Sequence, residues 1–312
     1  MSPKGVMRLG EVCVRVLDIE AARRHYGDYL GLIETRRDDD GTTYYKAWDE
    51  YDCHSVIVRP AEECGIDHVA YKVLDDDALT ALERDLNAYG VETTAVPAGV
   101  YPRSGRRVEF TLPTGHRMHL YAFKEQVGNG MNPAHNPGTI PADDSHSRGM
   151  RIVRLDHCLL GGRDIAAARD LFRDVFGFFL AEEIQDHESR AALASFLTCS
   201  TKPHDIAFVA QPEDGKLHHV SFLLESVNDL YHAGDRMGRY NIPIDFGPNR
   251  HGVTRGATIY FFDPSGNRNE VFTGGYAYYP DSPTLIWDTS ELGNAVFSQG
   301  NVVPESFLTV LT

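Results

Sequence analysis

The fold is decided by residues 249–272, which read NRHGVTRGATIYFFDPSGNRNEVF. The apolar run ATIYFF (257–262) has the composition of a β-strand, and the tetrapeptide DPSG (263–266) favours a tight turn after it. The run NEVF (269–272) then resumes the strand, so we expect a β-hairpin. Glu270 lies within this second run. A carboxylate buried in an apolar strand needs a hydrogen-bonding partner or a metal ion.

Composition excludes several classes of function. The chain has 312 residues, of which 42% are hydrophobic, and this length favours two domains. A formal net charge of −15 argues against nucleic acid and anionic membranes as partners. There is no hydrophobic signal segment at the N-terminus and no apolar stretch long enough to cross a bilayer. The five cysteines form no CxxC pair, so we expect reduced thiols and a cytoplasmic protein.

The chain repeats itself at long range. Four pairs of segments match: residues 9–30 with 155–176, 54–60 with 204–212, 66–86 with 217–237, and 106–122 with 258–274. Within each half the predicted order is a strand, a helix and further strands, twice over. Internal similarity at this period indicates tandem domains rather than a short-period solenoid. We therefore predict an α+β fold of two tandem domains, each built of two βαβββ modules.

The domain boundaries follow from where the repeat begins and ends. The first domain is expected to span residues 1–127 and the second 151–280. Between them, residues 128–150 are rich in Pro, Gly, Asn and Ser, which is typical of a linker. Residues 281–312 lie outside the repeat, so we expect a C-terminal extension that packs on the second domain.

Three candidate metal ligands fall on separate predicted strands of the second half: His157, His219 and Glu270. The repeat aligns Asp156-His157 with His218-His219, which selects His219 over His218. Strand alternation is expected to send Asp156 and His218 to the opposite face. Two imidazoles and one carboxylate are the ligand set of non-haem Fe(II) oxygenases, which leaves positions open for substrate and dioxygen. A hydrogen-bonded cluster of core residues is the alternative interpretation.

Three further polar residues accompany these ligands. His204 begins a predicted strand, His251 lies in a glycine-flanked loop, and Tyr260 lies on the first strand of the hairpin. An imidazole near a bound substrate can transfer protons close to neutral pH. The alternative for each residue is an ordinary surface or capping role.

These residues resemble the signature of the type I extradiol dioxygenases of the vicinal-oxygen-chelate superfamily. That signature runs from a loop histidine through an Ile-Tyr pair and an Asp-Pro-x-Gly turn to a glutamate. It is present here without a gap as His251, Ile259-Tyr260, Asp263-Pro264-Ser265-Gly266 and Glu270. Similar segments occur near both ends, at residues 7–18 and 307–312, so the resemblance covers nearly the whole chain.

The resemblance implies a glyoxalase-like fold, in which each domain forms an incomplete barrel. It implies that His157, His219 and Glu270 bind Fe(II), with Mn(II) as the alternative ion, and that no organic cofactor is bound. The residue at His204 would be the acid–base group near the dioxygen site. Those at His251 and Tyr260 would hydrogen-bond the substrate oxygens.

The activity implied is that of an Fe(II)-dependent catechol 2,3-dioxygenase. Such an enzyme opens the ring of catechol, or of an alkyl- or chloro-substituted catechol, next to the diol. With O2 it gives 2-hydroxymuconic semialdehyde or its analogue, in the catabolism of aromatic compounds. The family usually forms homotetramers. The rival hypotheses are a metal-dependent isomerase or epimerase on the same fold and a metal-free ligand-sequestering protein of the bleomycin-resistance kind.

The first half carries the same residue types in permuted order. The matched positions are Glu11 for His157, His68 for His219, His119 for Glu270, and His54 for His204. The positions of His251 and Tyr260 are instead filled by residues near Val100 and by Glu109. The resemblance implies that the first half of such proteins is generally metal-free. We therefore expect no catalytic iron there.

Overall fold

The computed structural model describes residues 4–129 and 144–312. The first half consists of strands and helices in the order β1 (Val6–Val16), α1 (Ile19–Arg23), β2 (Ile33–Arg37), β3 (Thr43–Lys46), β4 (Val56–Pro60), β5 (Gly65–Val73), α2 (Asp76–Tyr89), β6 (Thr93–Val96), β7 (Arg107–Thr111) and β8 (Arg117–Tyr121). A π-helical turn, Arg24–Tyr29, continues α1. One strand, one helix and three strands thus follow each other twice.

The second half repeats this order and then adds short elements. It consists of β9 (Arg154–Gly162), α3 (Ile165–Asp174), β10 (Phe179–Gln185), β11 (Ala192–Thr198), β12 (Ile206–Ala210), β13 (Lys216–Leu223), α4 (Val227–Tyr240), β14 (Ile244–Arg250), β15 (Gly256–Phe262), β16 (Arg268–Gly274), β17 (Leu285–Asp288), α5 (Leu292–Val296) and α6 (Glu305–Thr309). The last three elements belong to the predicted C-terminal extension. The predicted βαβββ modules are confirmed.

Each half forms one open sheet of mixed strand direction. The first sheet has the order β2-β3-β4-β1-β5-β8-β7-β6, and the second has the order β14-β15-β16-β13-β9-β12-β11-β10-β17. Read backwards from β10, the second sheet has the same order as the first. In both sheets the two edge strands do not pair with each other, so neither sheet closes. The predicted α+β class with incomplete barrels is confirmed.

Local sequence signals fix the helix starts that the repeat predicted. The side chain of Asp18 accepts a hydrogen bond from the N–H of Ala21, and Asp164 accepts one from Ala167. An aspartate at this position satisfies a free N–H group of the first turn and meets the positive end of the helix dipole. Both helices thereby begin at equivalent points, just after the first strand of their module.

Aromatic packing joins the two halves. Tyr71 of β5 meets Phe172 of α3 and Phe178 edge to face, with ring centroids 5.9 and 5.5 Å apart. Such pairs add about 0.5–1.5 kcal/mol each beyond the burial of their area. One large apolar cluster contains buried residues of both halves, and two smaller clusters lie outside it. The second sheet, which carries the candidate site, is therefore supported by the first.

The predicted linker 128–150 lies largely outside the described residues, because 130–143 are not among them. Its final part is attached to the first half. Met150 is buried, and its N–H donates to the carbonyl oxygen of Leu30 at 3.0 Å. The domain boundaries themselves stay predictions.

The hairpin predicted from residues 249–272 is present as β15 and β16. The two strands pair antiparallel, with Tyr260 opposite Glu270. In the turn, the Asp263 carboxylate accepts from the backbone N–H groups of Ser265 and Asn267 at 2.8 and 2.9 Å. It also accepts from the hydroxyl of Tyr26 in the first half, at 3.0 Å. One buried side chain thus holds the turn closed and ties it to the other half.

We predict that Asp263→Ala lowers the free energy of unfolding by about 3 kcal/mol. The substitution leaves buried N–H and O–H donors unpaired, at a cost of about 1–3 kcal/mol for each. Urea denaturation followed by circular dichroism would measure the change. Asp281→Ala, at an exposed position, is the control and should stay within about 0.5 kcal/mol of the parent chain. Equal stability of both variants would contradict this account of the turn.

Candidate metal centre and its cavity

Three neighbouring strands bring the predicted ligands together. β13 lies between β9 and β16, and its Ser221 pairs with His157 on one side and with Glu270 on the other. His219 lies two residues before Ser221 on β13. Residues two apart on a strand point to the same face. The three candidate ligands therefore share one face of the sheet.

The ligand atoms of these three residues converge. His157 Nε2 lies 3.0 Å and His219 Nε2 lies 3.5 Å from Glu270 Oε2. The other carboxylate oxygen, Oε1, accepts from the hydroxyl of Thr258 at 2.5 Å. Burial raises the pKa of Glu270, but interactions with His157 and His251 lower it well below its ordinary value. Glu270 is therefore a carboxylate anion held among imidazoles.

A carboxylate orients the first imidazole. Asp156 Oδ2 lies 3.0 Å from His157 Nδ1, so this nitrogen donates and Nε2 points at Glu270. Lys202 Nζ lies 3.4 Å from the same Asp156 oxygen. Burial raises the pKa of Asp156, but Lys202 and His157 lower it below its ordinary range. The hydrogen bond from Nδ1 to Asp156 keeps His157 Nε2 directed at the centre, as carboxylates that accept from metal-bound histidines commonly do.

A chain of hydrogen bonds orients the second imidazole. His218 Nε2 lies 2.8 Å from the carbonyl oxygen of Phe307 in α6, which can only accept, so this nitrogen donates. Burial lowers the pKa of His218 to about 3, so its ring is neutral and Nδ1 can only accept. His219 Nδ1 lies 2.7 Å from that atom and must donate to it. His219 Nε2 consequently keeps its lone pair for the centre.

The residues present fit a bound metal ion. Within residues 4–129 and 144–312, His219 Nε2 and Glu270 Oε2 are among the buried side-chain atoms that have no hydrogen-bond partner. Each such atom costs about 1–3 kcal/mol if it stays unpaired. The ligand atoms of His157, His219 and Glu270 all lie within 4.8 Å of one another. Two imidazoles and a carboxylate suit a divalent first-row metal such as Fe(II) or Mn(II).

The prediction that Asp156 and His218 lie on the opposite face is wrong. Both residues line the same cavity as the three ligands. The pairing of β13 with β9 shifts its register between Leu217 and His219, which disturbs strict alternation at His218. The same pairing shifts its register again between Ser221 and Phe222, opposite Asp156, and the Asp156 carboxylate accepts from His157 Nδ1. Both side chains act on the ligands rather than on the core.

His204 lies directly beside the centre. Its ring centroid is 4.0 Å from that of His157, and its Nδ1 is buried without a hydrogen-bond partner among the described residues. Burial, followed by the nearby charge of His157, lowers the pKa of His204 well below its ordinary value. This imidazole is therefore neutral, with a free nitrogen next to the ligands.

His251 and Tyr260 form a hydrogen-bonded pair on the other side. His251 Nδ1 donates to the carbonyl oxygen of Val296 in α5. Its Nε2 is therefore the acceptor for the hydroxyl of Tyr260, 2.9 Å away. Burial, together with Glu270, raises the pKa of Tyr260 well above its ordinary value. The phenol keeps its proton next to the centre.

All six predicted site residues line one cavity of about 430 Å³. Its polar end is formed by the candidate ligands with His204, His251 and Tyr260. Its other walls are mostly apolar and include Ile184, Phe196, Val209, Phe272, Val296 and Phe307. A small aromatic ring fits this combination of polar end and apolar wall.

Comparison with known proteins agrees with this geometry. The family model of the Glyoxalase/Bleomycin resistance protein/Dioxygenase superfamily matches residues 154–271, and that of the Catechol 2,3-dioxygenase-like N-terminal domain matches residues 66–125. The metapyrocatechase of Pseudomonas sp. (strain CF600) is 49% identical over 309 residues, which cover 99% of each chain. The chain belongs to the extradiol dioxygenase family.

One further relative is named for manganese, and two solved structures share the fold. The manganese-dependent 2,3-dihydroxybiphenyl 1,2-dioxygenase of Geobacillus genomosp. 3 is 25% identical, over 95% of this chain and 94% of its own. Among solved structures, the 2,3-dioxygenase LapB from Pseudomonas sp. KL28 is 48% identical with a TM-score of 0.88, over 92% of this chain and 98% of its own. The homoprotocatechuate 2,3-dioxygenase of Arthrobacter globiformis is 26% identical with a TM-score of 0.87, over 99% and 92% of the two chains.

One site feature of this extradiol dioxygenase was missed by the sequence analysis. Arg268, on β16 beside Glu270, is buried and donates to the carbonyl oxygens of Ser306 and Val310, both at 2.9 Å. Its Nε donates to Asp245 at 2.9 Å. Arg268 thus holds α6 in place, and with it the Phe307 carbonyl that orients His218. The sequence signal that could have identified this residue was an arginine within the predicted strand NRNEVF.

We predict that Arg268→Met increases amide hydrogen exchange in Glu305–Thr309 by about tenfold or more. Each hydrogen bond to the charged guanidinium contributes about 1.5–3 kcal/mol, so its loss favours local opening of α6. Exchange measured by mass spectrometry would test this. Arg163→Met, which removes an exposed pair with Asp214, is the matched control and should leave this segment unchanged. Equal protection in both variants would contradict the role of Arg268.

Proposed function

We propose that this protein is a metal-dependent catechol 2,3-dioxygenase. It would open the ring of catechol, or of an alkyl- or chloro-substituted catechol, next to the diol with O2. The product from catechol would be 2-hydroxymuconic semialdehyde. The observation that carries the proposal is the convergence of His157, His219 and Glu270 at the polar end of a largely apolar cavity. The full-length likeness to a metapyrocatechase supports the same activity.

We propose Fe(II) as the ion held by His157, His219 and Glu270. Bound there, Fe(II) would supply a centre that chelates both catechol oxygens and binds dioxygen beside them. Two nitrogens and one oxygen leave the remaining coordination positions for these two reactants. Mn(II) accepts the same donor set, and one relative is named for it. The assay below therefore compares the two ions.

The chain's own residues would hold the substrate. Tyr260 lies next to Glu270 and its single O–H donates to His251 Nε2, so its oxygen can accept a proton from a catechol hydroxyl while its own proton passes to His251. His251 Nε2 accepts from Tyr260, and its own position is fixed through Nδ1 by the Val296 carbonyl. This pair therefore provides a path along which a hydroxyl proton can leave the substrate.

His204 would move the second proton. Its imidazole is neutral and its Nδ1 is unpaired, so it can accept a proton beside the reacting atoms and return it. A positioned acid–base group of this kind typically increases the rate by about 10²–10⁴-fold. The apolar walls exclude water and fit the ring with small alkyl or chloro substituents.

Location and assembly stay proposals. None of the helices in the two described ranges is long and apolar enough to span a membrane. A cytoplasmic location is proposed from the cysteine usage, and a homotetramer is proposed from the family resemblance. Catechol and O2 are the proposed reaction partners.

The direct test is an aerobic assay with catechol after anaerobic reconstitution with Fe(II) or with Mn(II). We expect a yellow ring-fission product in the visible region and one O2 consumed for each catechol, with Fe(II) giving the higher activity. Absence of the yellow product from protein that demonstrably holds either ion would contradict the proposed activity. Activity with Mn(II) alone would keep the reaction and replace the metal.

The variant His219→Ala tests whether His219 is a metal ligand. Loss of an outer partner alone typically costs about 10–100-fold in metal affinity. Removal of the ligand itself should therefore lower the affinity for the metal by about 100-fold or more and abolish product formation. His187→Ala, at an exposed histidine, should change neither. A folded His219→Ala chain that keeps its metal and its activity would refute the assignment.

We predict that His204→Ala keeps the metal and lowers kcat by about 100-fold, because the acid–base contribution is lost. Metal content is measured on the same sample as kcat, which separates a missing proton carrier from a missing ion. Turnover equal to that of the parent chain would remove the proposed role of His204.

A further inference from the structure

The first half contains a cluster built on the same sheet positions as the candidate metal centre. Two rows of cross-strand partners correspond: Glu11, Ala70 and His119 in the first sheet, and His157, Ser221 and Glu270 in the second. His68 lies two residues before Ala70, just as His219 lies two residues before Ser221. The ligand atoms of Glu11, His68 and His119 also lie within 4.8 Å of one another, and all three residues are buried.

Two cations occupy this first-half cluster. Arg107 donates from both terminal nitrogens to Glu11, at 2.6 and 3.0 Å. Lys124 Nζ lies 2.5 Å from Glu11 Oε2. The side chains of Arg107, Lys124 and Glu11 are all fully buried. Burial raises the pKa of Glu11, but Arg107 and Lys124 lower it well below its ordinary value.

The second half lacks both cations at the matched positions. Glu109 pairs with His119 across the strands, and Arg107 lies two residues before Glu109. Tyr260 pairs with Glu270 in the same way, and Thr258 lies two residues before Tyr260, so Thr258 is the counterpart of Arg107. Thr258 offers only a hydroxyl to the carboxylate, at 2.5 Å. Lys124 follows His119 by five residues, and Gly275, which lines the cavity, follows Glu270 by five. A hydroxyl and a glycine thus stand where the first half has two positive charges.

The first-half ligands are otherwise ready to bind. His68 Nδ1 is engaged by Asp67 at 3.1 Å, which leaves Nε2 directed at Glu11, 2.9 Å away. This repeats the arrangement of Asp156, His157 and Glu270. His119 Nδ1 lies 3.3 Å from Arg107 Nη1, while its Nε2 lies 3.3 Å from Glu109 Oε1. The imidazoles of His68 and His119 therefore lie beside the Glu11 carboxylate, which the Arg107 guanidinium and the Lys124 ammonium group both contact.

We propose that Glu11, His68 and His119 form a second site for a divalent transition metal, and that Arg107 and Lys124 keep it closed. Their two positive charges take the place of one divalent ion next to the Glu11 carboxylate. An ion entering beside them would meet two like charges at close range in a medium of low dielectric constant. The cations thereby restrict metal loading to the second half. Imidazole and carboxylate ligands suit first-row divalent metals.

The test replaces the two cations of the first half with the residues found at the matched positions of the second half. Arg107→Thr and Lys124→Gly are introduced together in the full-length chain, and Co(II) is the probe ion. We expect one more tightly bound Co(II) per chain than in the parent protein, with a new visible absorption band. Since the result is a difference from the parent chain, it does not depend on what the second half binds. The same double variant with Glu11→Gln is the control and should lose the additional ion.

Each outcome decides the proposal. A folded double variant that binds no additional Co(II) overturns it, and so does an additional ion that survives Glu11→Gln. If the double variant folds only when Co(II) is present, with one additional ion per chain, the ion has replaced the two charges as proposed. If it fails to fold both with and without Co(II), a divalent ion cannot substitute for the cations and the proposal is wrong.

Discussion

The site depends on one buried carboxylate. Glu270 is 1% exposed, on a buried strand between Asn269 and Val271, and an isolated charge in such a place is strongly unfavourable. The sheet order β16-β13-β9 sets two imidazoles next to it, and the hairpin sets the Thr258 hydroxyl against its other oxygen. Oε2 lies 3.0 and 3.5 Å from the two imidazole nitrogens but accepts no hydrogen bond of suitable geometry among the described residues. The surrounding structure is arranged so that a cation at this point would complete it.

The two halves meet the same physical requirement in different ways. In the first half the carboxylate is on the first strand of the row, at Glu11, and the chain itself supplies two cations to balance it. In the second half the carboxylate is on the third strand, and the cation positions hold Thr258 and Gly275. Gly275 and Glu270 both line the cavity of the second half. The duplicated fold thus separates a closed, self-neutralised centre from one that is open to small molecules.

Much of the fold could be predicted because its signals are local. The run ATIYFF-DPSG-NRNEVF specifies a hairpin through strand composition and turn chemistry, and the aspartates at 18 and 164 specify helix starts. Residue type and repeat position selected His157, His219, Glu270 and His204, and the family signature selected His251 and Tyr260. The roles of all six stay predictions. The contributions of Val296 and Phe307 could not be predicted, because they act through backbone carbonyls that every residue possesses. The place of His218 depends on a register shift, which a regular alternation of faces does not reveal.

The α5 and α6 helices have a consequence for the order in which the site becomes complete. A growing chain that has reached the end of β16 already contains all six candidate site residues. It still lacks the Val296 carbonyl that orients His251 and the Phe307 carbonyl that, through His218, leaves the His219 lone pair free for the centre. Because both carbonyls come later in the chain than the six residues, the imidazoles cannot acquire these hydrogen bonds until the chain has been extended through Phe307. Completion of the candidate centre thus depends on a segment that supplies none of its side chains.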